Sequence, residues 1–157
     1  MQRSKQVLWL VLAVGGGAVI IIDRILKALA LAGTVGRWPA DTGWLEFGIF
    51  RNDKFIGWLA LPNWLIVSGS VIVLSLVAGL FIWSVVVRRL EFSVGTGLII
   101  LGAVSNLADR AAYGWVIDYF GPDWGWPVFN LADAVIMAGV IGLVAASRNL
   151  TSKPVDG

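Results

Sequence analysis

Long apolar runs broken by short polar segments dominate this chain. A helical span needs about 20 mostly apolar residues, and stretches near 7–31, 62–87, 94–112 and 129–146 meet that length. The second run has no charge. The first contains Asp23, Arg24 and Lys27, the third ends in Asn106, Asp109 and Arg110, and the fourth opens on Asn130 and Asp133. Residues 43–61 follow another period: Leu45, Phe47 and Ile49 alternate with Trp44, Glu46 and Gly48, as in a strand with two unlike faces. Asn52-Asp53-Lys54 reads as a turn and 55–59 as a second strand, so a small β-hairpin is expected between the first two helices. Pro62 suits the first turn of the second helix. The pattern predicts an all-α membrane protein of four transmembrane helices with a small extracytoplasmic β element, in one domain over residues 1–157.

Charge orients these spans. Arg3 and Lys5 precede the first, Arg88 and Arg89 join the second and third, and Arg148 and Lys153 follow the fourth. Basic residues mark the cytoplasmic side, so both termini are expected inside. Trp38, Trp44, Trp58, Trp64, Trp115, Trp124 and Trp126 all fall on the other side, where an interfacial aromatic belt would lie. Ala28-Leu29-Ala30 resembles a signal-peptide cleavage site. However, Asp23, Arg24 and Lys27 stand between it and the apolar run, so the first span is read as retained.

Composition narrows the chemistry. Hydrophobic residues make up 58% of the chain and charged ones 14%, against roughly 25% charge in soluble domains, and the mean hydropathy is +0.83. A net charge of +2, with basic residues at span ends and not in a patch, gives no reason to expect a nucleic-acid partner. There is no Cys and no His. Disulfides, Cys/His metal sites and Ser-His or Cys-His nucleophiles are thereby excluded, and neither metal nor cofactor is expected. Acid–base work falls to Asp, Glu, Lys or Tyr.

Helix geometry gathers the polar residues at one depth. At 1.5 Å per residue, Asp23 lies roughly 27 Å above the inner boundary marked by Lys5. Counted from Glu91, Asn106 lies about 22 Å up and Asp109 and Arg110 about 27–28 Å. Counted back from Arg148, Asp133 lies about 22 Å up, with Asn130 higher still. The pairs Asp23/Lys27, Asn106/Arg110, Asn106/Asp109 and Asn130/Asp133 are three or four residues apart, so each shares a helix face. Ionisable groups in a bilayer are costly and point to function. Each has a plainer reading too. Asp23 with Lys27 reads first as a structural ion pair and Asp109 as interfacial. Arg110 is balanced between snorkelling to the interface and supporting a site. Asn106 and Asn130 also suit interhelical hydrogen bonds. Asp118 sits in a connection bounded by Gly114 and Gly121-Pro122 that folds back over the bundle mouth.

The ordered set Asn106-Leu107-Ala108-Asp109-Arg110, Val116-Ile117-Asp118-Tyr119 and Phe129-Asn130-Leu131-Ala132-Asp133, with Asp23 and Lys27 upstream, resembles lipoprotein signal peptidase (signal peptidase II). That family comprises four-span bacterial aspartyl proteases with a small outer β-structure. The resemblance implies that Asp118 and Asp133 are the catalytic pair. It implies supporting roles for Asn106, Arg110 and Asn130, places Asp23 and Lys27 near the site with Asp109, and aligns Asn52 with the family's outer strand. It further implies a monomer in the bacterial inner membrane, its site at the outer leaflet, acting among membrane lipids on lipid-modified prolipoproteins. Two departures stand out: Ser105 where the family usually has Gly, and Ile56-Gly57-Trp58 where it has a small-aromatic-small pattern. The competing readings are a Ser-Lys protease using Ser68, Ser70 or Ser105 with Lys27, a proton- or ion-coupled carrier using Asp23, Asp109 and Asp133, and a non-catalytic scaffold.

Overall fold

The computed structural model of this chain describes residues 2–33, 46–54, 59–122 and 127–151. The helices are α1 (Gln2–Leu31), α2 (Asn63–Val86), α3 (Leu90–Tyr113) and α4 (Leu131–Thr151). Strand β1 (Glu46–Asn52) lies between α1 and α2, and β2 (Val116–Gly121) between α3 and α4. By length and composition α2, α3 and α4 can each cross a membrane. The described side chains of α1 include three charged ones, Asp23, Arg24 and Lys27.

Polarity is arranged inside out. Ile72, Leu76, Val86, Met137 and Ile141 stand exposed, whereas Asp23, Lys27, Asp109, Asp118 and Asn130 are buried. A bilayer as surrounding solvent accounts for both, since lipid tails accept the apolar faces and the bundle interior must satisfy the polar ones.

Helix α3 is the central post: α1, α2 and α4 all pack on it, while α1 and α2 do not touch among the described residues. Close approach of α3 and α4 depends on glycine. A Cβ on Gly139 would stand 2.6 Å from the carbonyl oxygen of Gly95, and one on Gly102 would overlap that of Ala132. Small residues let membrane helices meet backbone to backbone, and the Gly102–Ala132 contact sets the first turn of α4, which carries Asp133, against α3. Gly114 ends α3 at φ +82°, its N–H returned to the Arg110 carbonyl. A residue without Cβ adopts that conformation freely.

Among the described residues the expected outer strand has a partner that periodicity did not name. β1 pairs antiparallel with β2, from Glu46 opposite Gly121 to Asn52 opposite Val116. The run 55–59, expected to pair with β1, lies mostly outside the described residues. Asp118, expected in a loop, stands instead in mid-strand. Local periodicity finds a strand and leaves its partner open; here the partner arrives after two intervening helices. A bulge between Phe47 and Phe50 sets two β1 residues against Tyr119 and re-aims the strand end that carries Asn52. On its other side β2 is bridged by Phe129: Phe120 N–H donates to the Phe129 carbonyl (3.0 Å) and Phe129 N–H to that of Phe120 (2.8 Å). That bridge delivers the next residue, Asn130, beside Asp118. Beneath the sheet, Phe47, Tyr119 and Ala30 form a buried cluster joined by Leu26, Phe120 and Leu131.

Candidate active site

The start of α4 is built by its own sequence. Asn130 precedes the helix, and its Oδ1 accepts the N–H of Asp133 at 2.9 Å. Asp133 Oδ2 reaches back to the N–H of Asn130 at 3.1 Å. This is a reciprocal capping box with Asn and Asp in place of the usual Ser/Thr and Glu. It places Asn130 just ahead of α4 and not inside it. The cap leaves the Asn130 amide nitrogen free to donate to Asp118 Oδ1 at 2.6 Å.

From there the amides continue in a ring. Asn52, at the end of β1, donates to Asp118 Oδ2 at 2.9 Å, a diagonal cross-strand contact. Asn106 on α3 accepts from Asn130 (3.1 Å) and donates to Asp133 Oδ1 at 2.7 Å. Among the described residues both carboxylates thus take their hydrogen bonds from neutral amides. Asp118 is fully buried, whereas Asp133 is half-buried. Burial first, and the neighbouring Asp133 charge second, lift the Asp118 carboxyl from its ordinary 3.8 to about 6, against the lowering effect of Asn52 and Asn130.

Asp23, Lys27 and Asp109 form a second polar cluster one layer behind. Lys27 Nζ lies 3.0 Å from Asp23 Oδ2 and 2.7 Å from Asp109 Oδ2, and all three side chains are buried. Arg24 reaches Asp109 Oδ1 at 2.8 Å. Asp109 Oδ2 also accepts the Ile117 N–H at 3.3 Å, which anchors β2 beside its catalytic candidate. Lys27 joins the clusters by donating to Asn106 Oδ1 at 3.0 Å.

Arg110 is buried and its Nη2 donates to the Lys54 carbonyl at 2.7 Å, tying the end of α3 to the chain just beyond Asn52. Its Nη1 is buried without a partner among the described residues. All nine residues singled out in the sequence therefore gather at one end of the bundle, with Asp118, Asp133, Asn130, Asn106 and Asn52 in direct contact. Ile56-Gly57-Trp58 lies outside the described residues. Sequence reasoning missed Tyr119 and Phe129. A buried tyrosine hydroxyl needs a partner, but nothing in the linear pattern tied this one to Asp23.

Ser105 does come near Lys27, at 3.4 Å. Its hydroxyl donates to Asp23 Oδ2 at 2.5 Å and accepts from Arg24 at 2.9 Å. Lys27 is meanwhile paired with two carboxylates. A nucleophilic serine needs a free base beside it, whereas this hydroxyl is committed to the Asp23 carboxylate. Ser68 is exposed and bonded to the Trp64 carbonyl.

Sequence comparison decides the family: the model described as signal peptidase (SPase) II matches residues 16–148. This chain belongs to the signal peptidase II family. A lipoprotein signal peptidase of Methylorubrum extorquens (strain PA1) is 41% identical over 150 residues, covering 93% of this chain and 77% of the relative. Another, from Syntrophomonas wolfei subsp. wolfei, is 37% identical over 132 residues, covering 80% and 85%. A bacterial membrane enzyme solved by the in meso method superposes with a TM-score of 0.76 over 93% of this chain and 92% of that one, at 23% identity, so the fold is shared. Signal peptidase II proteins are aspartic proteases of lipoprotein processing, and the apolar helices here fit a multi-pass membrane enzyme.

Proposed function

We propose that this chain is an intramembrane aspartyl endopeptidase that removes the signal peptide from lipid-modified prolipoproteins, cutting before the diacylglyceryl-cysteine, with Asp118 and Asp133 as its catalytic pair. The observation that carries this reading is the amide ring. Two carboxylates are bonded through shared asparagines, no ion pair reaches either among the described residues, and Asp118 keeps its proton up to about pH 6. Two such groups in a poorly solvated site share one proton.

The chemistry follows from that shared proton. The ionised carboxylate takes a proton from water as the water oxygen bonds to the scissile carbonyl carbon. The protonated carboxyl gives its proton to the carbonyl oxygen, and a tetrahedral diol results. Collapse returns a proton to the amide nitrogen as the C–N bond breaks, which frees the signal peptide's carboxylate and the lipid-bearing amine. Because the pair titrates as a unit, either carboxyl serves as acid. Asn106, Asn130 and Asn52 orient the carboxylates, and Arg110 holds a substrate carbonyl or anionic group. Asp23, Lys27 and Asp109 keep the helices in register.

In this reading α1 is the fourth span of one integral domain, both termini face the cytoplasm of a bacterial inner membrane, and the pair lies at outer-leaflet depth. There a monomer meets the substrate's lipidated cysteine among the surrounding lipids. The test is cleavage of a diacylglyceryl-modified prolipoprotein by the purified chain, beside Asp118→Asn and Asp133→Asn. Cleavage by the parent and by neither variant, all three folded, is expected. Cleavage that survives either change removes that carboxylate from the mechanism.

A further inference from the structure

The Tyr119 hydroxyl occupies a place where an apolar ring alone would pack as well. Its ring lies fully buried beside Phe47, at a centroid distance of 5.5 Å, and in the cluster with Ala30. A phenylalanine would fill that space, and a buried hydroxyl is costly unless bonded. This one is bonded twice. It donates to Asp23 Oδ1 at 3.0 Å and accepts the N–H of Leu131 at 2.8 Å. Asp23 Oδ1 also accepts the N–H of Ala132 at 3.3 Å.

These two N–H groups are the first of α4, which lack intrahelical acceptors. Tyr119 takes the first, Asp23 the second and Asn130 Oδ1 the third, while the fourth returns to the Asn130 carbonyl at 3.3 Å. The whole leading edge of α4 is thereby satisfied from three separate elements. Tyr119 directly follows Asp118, and Leu131 and Ala132 directly precede Asp133. One hydroxyl and one α1 carboxylate thus fasten the two segments that carry the carboxylates, from the side opposite the amide ring.

We infer that Tyr119, held by Asp23, is a positioning residue that fixes the spacing of Asp118 and Asp133; this rests on those two being the catalytic pair. It touches neither substrate nor reacting atoms, so its effect falls on turnover and not on substrate binding.

Tyr119→Phe keeps the ring and removes only the tie. Its kcat on the lipidated prolipoprotein is expected to fall about tenfold, since small displacements of a reacting group cost rate steeply, with KM unchanged within about twofold. Hydrogen exchange in the first turn of α4, residues 131–134, should quicken while the rest of the helix keeps its protection. Leu131→Pro cuts the same bond from the other end in a position that tolerates proline; it is expected to lower kcat similarly and serves if Tyr119→Phe does not fold. Parental kcat in the folded fraction of either variant overturns the inference, even where Tm drops, because the tie is then structural only. A rise in KM at constant kcat overturns it too, by placing the hydroxyl on the substrate. Asp118→Asn run alongside separates the two levels. If it is dead and Tyr119→Phe turns over like the parent, only the positioning role fails. If Asp118→Asn cleaves, the pair fails and this inference with it.

Discussion

Four aspartates sit within a few helical turns of one another and meet two different environments. Asp23 and Asp109 share Lys27, at 3.0 and 2.7 Å, with Arg24 added at 3.5 and 2.8 Å. Asp118 and Asp133 are held by the side-chain amides of Asn52, Asn106 and Asn130 and by one backbone N–H. An amide donor orients a carboxylate and leaves its charge in place, whereas an ammonium cancels it. The cation-paired aspartates are therefore suited to holding helices together, and the amide-held pair to exchanging protons. Residue type does not separate these roles, and neither does burial. What separates them is whether the neighbour brings a charge.

The sharpest break in this contrast comes from neutralising each kind of aspartate. Asp118→Asn or Asp133→Asn should lower cleavage by about a thousandfold or more, as loss of an acid–base group does. Asp118→Asn should also raise stability, in a pH-dependent way. The folded Asp118 carboxyl titrates near 6 against 3.8 ordinarily. Its proton-linked contribution to folding is thus fully present below about 3.8 and lost as pH rises through about 6. The asparagine never ionises, so its Tm advantage over the parent should be absent below about pH 3.8, grow between about 3.8 and 6, and level off above. A constant difference across that window would contradict the buried, charge-coupled environment of Asp118.

Next in size, Lys27→Met removes the buried cation shared by two carboxylates and leaves them only the partly exposed Arg24. Removing one partner of a buried ion pair costs roughly 3–5 kcal/mol, so unfolding in detergent should show a large loss of stability. A Lys27→Met protein that melts like the parent but has lost turnover would place Lys27 with the chemistry instead. Smaller again is Asn52→Leu, which removes one donor to ionised Asp118. Its rate should fall about tenfold, the effect of one charge-assisted hydrogen bond. The acid limb of its kcat/KM pH profile, which reports the coupled pair, should move to higher pH, because the donor favours the charged form. Smallest is Arg24→Gln. Arg24 is partly exposed and Lys27 still neutralises Asp109, so the loss should stay within about 1 kcal/mol. A larger loss would mean that Lys27 does not suffice alone.

The helices were legible in sequence because apolar length is a local property. The common level of their polar residues was legible too, because rise per residue is fixed; that is why Asp23, Asn106, Asp109 and Asp133 could be expected in one layer before any contact was known. The motifs joined these residues to a family. The division of labour among the aspartates was not legible, since Asp23 and Asp109 differ from Asp118 and Asp133 only in which side chains other helices bring. The pairing of β1 with β2 was hidden for the same reason, because alternation at Leu45, Phe47 and Ile49 says nothing of a partner beyond α3. Tyr119 was hidden most deeply: in sequence it is one more aromatic in an apolar strand.

The strand pairing also sets an order of assembly. β1 leaves the ribosome before α2, and β2 only after α3. The edge of β1 that takes β2 therefore waits while two membrane-length helices are made, and the pairing that seats Asp118 cannot form earlier. Asp133 arrives later still, at the head of the last helix. A partly synthesised or wrongly inserted chain holds at most one of the two carboxylates in place. With Asp118 and Asp133 as the proposed pair, the site is complete only once the last helix has been made.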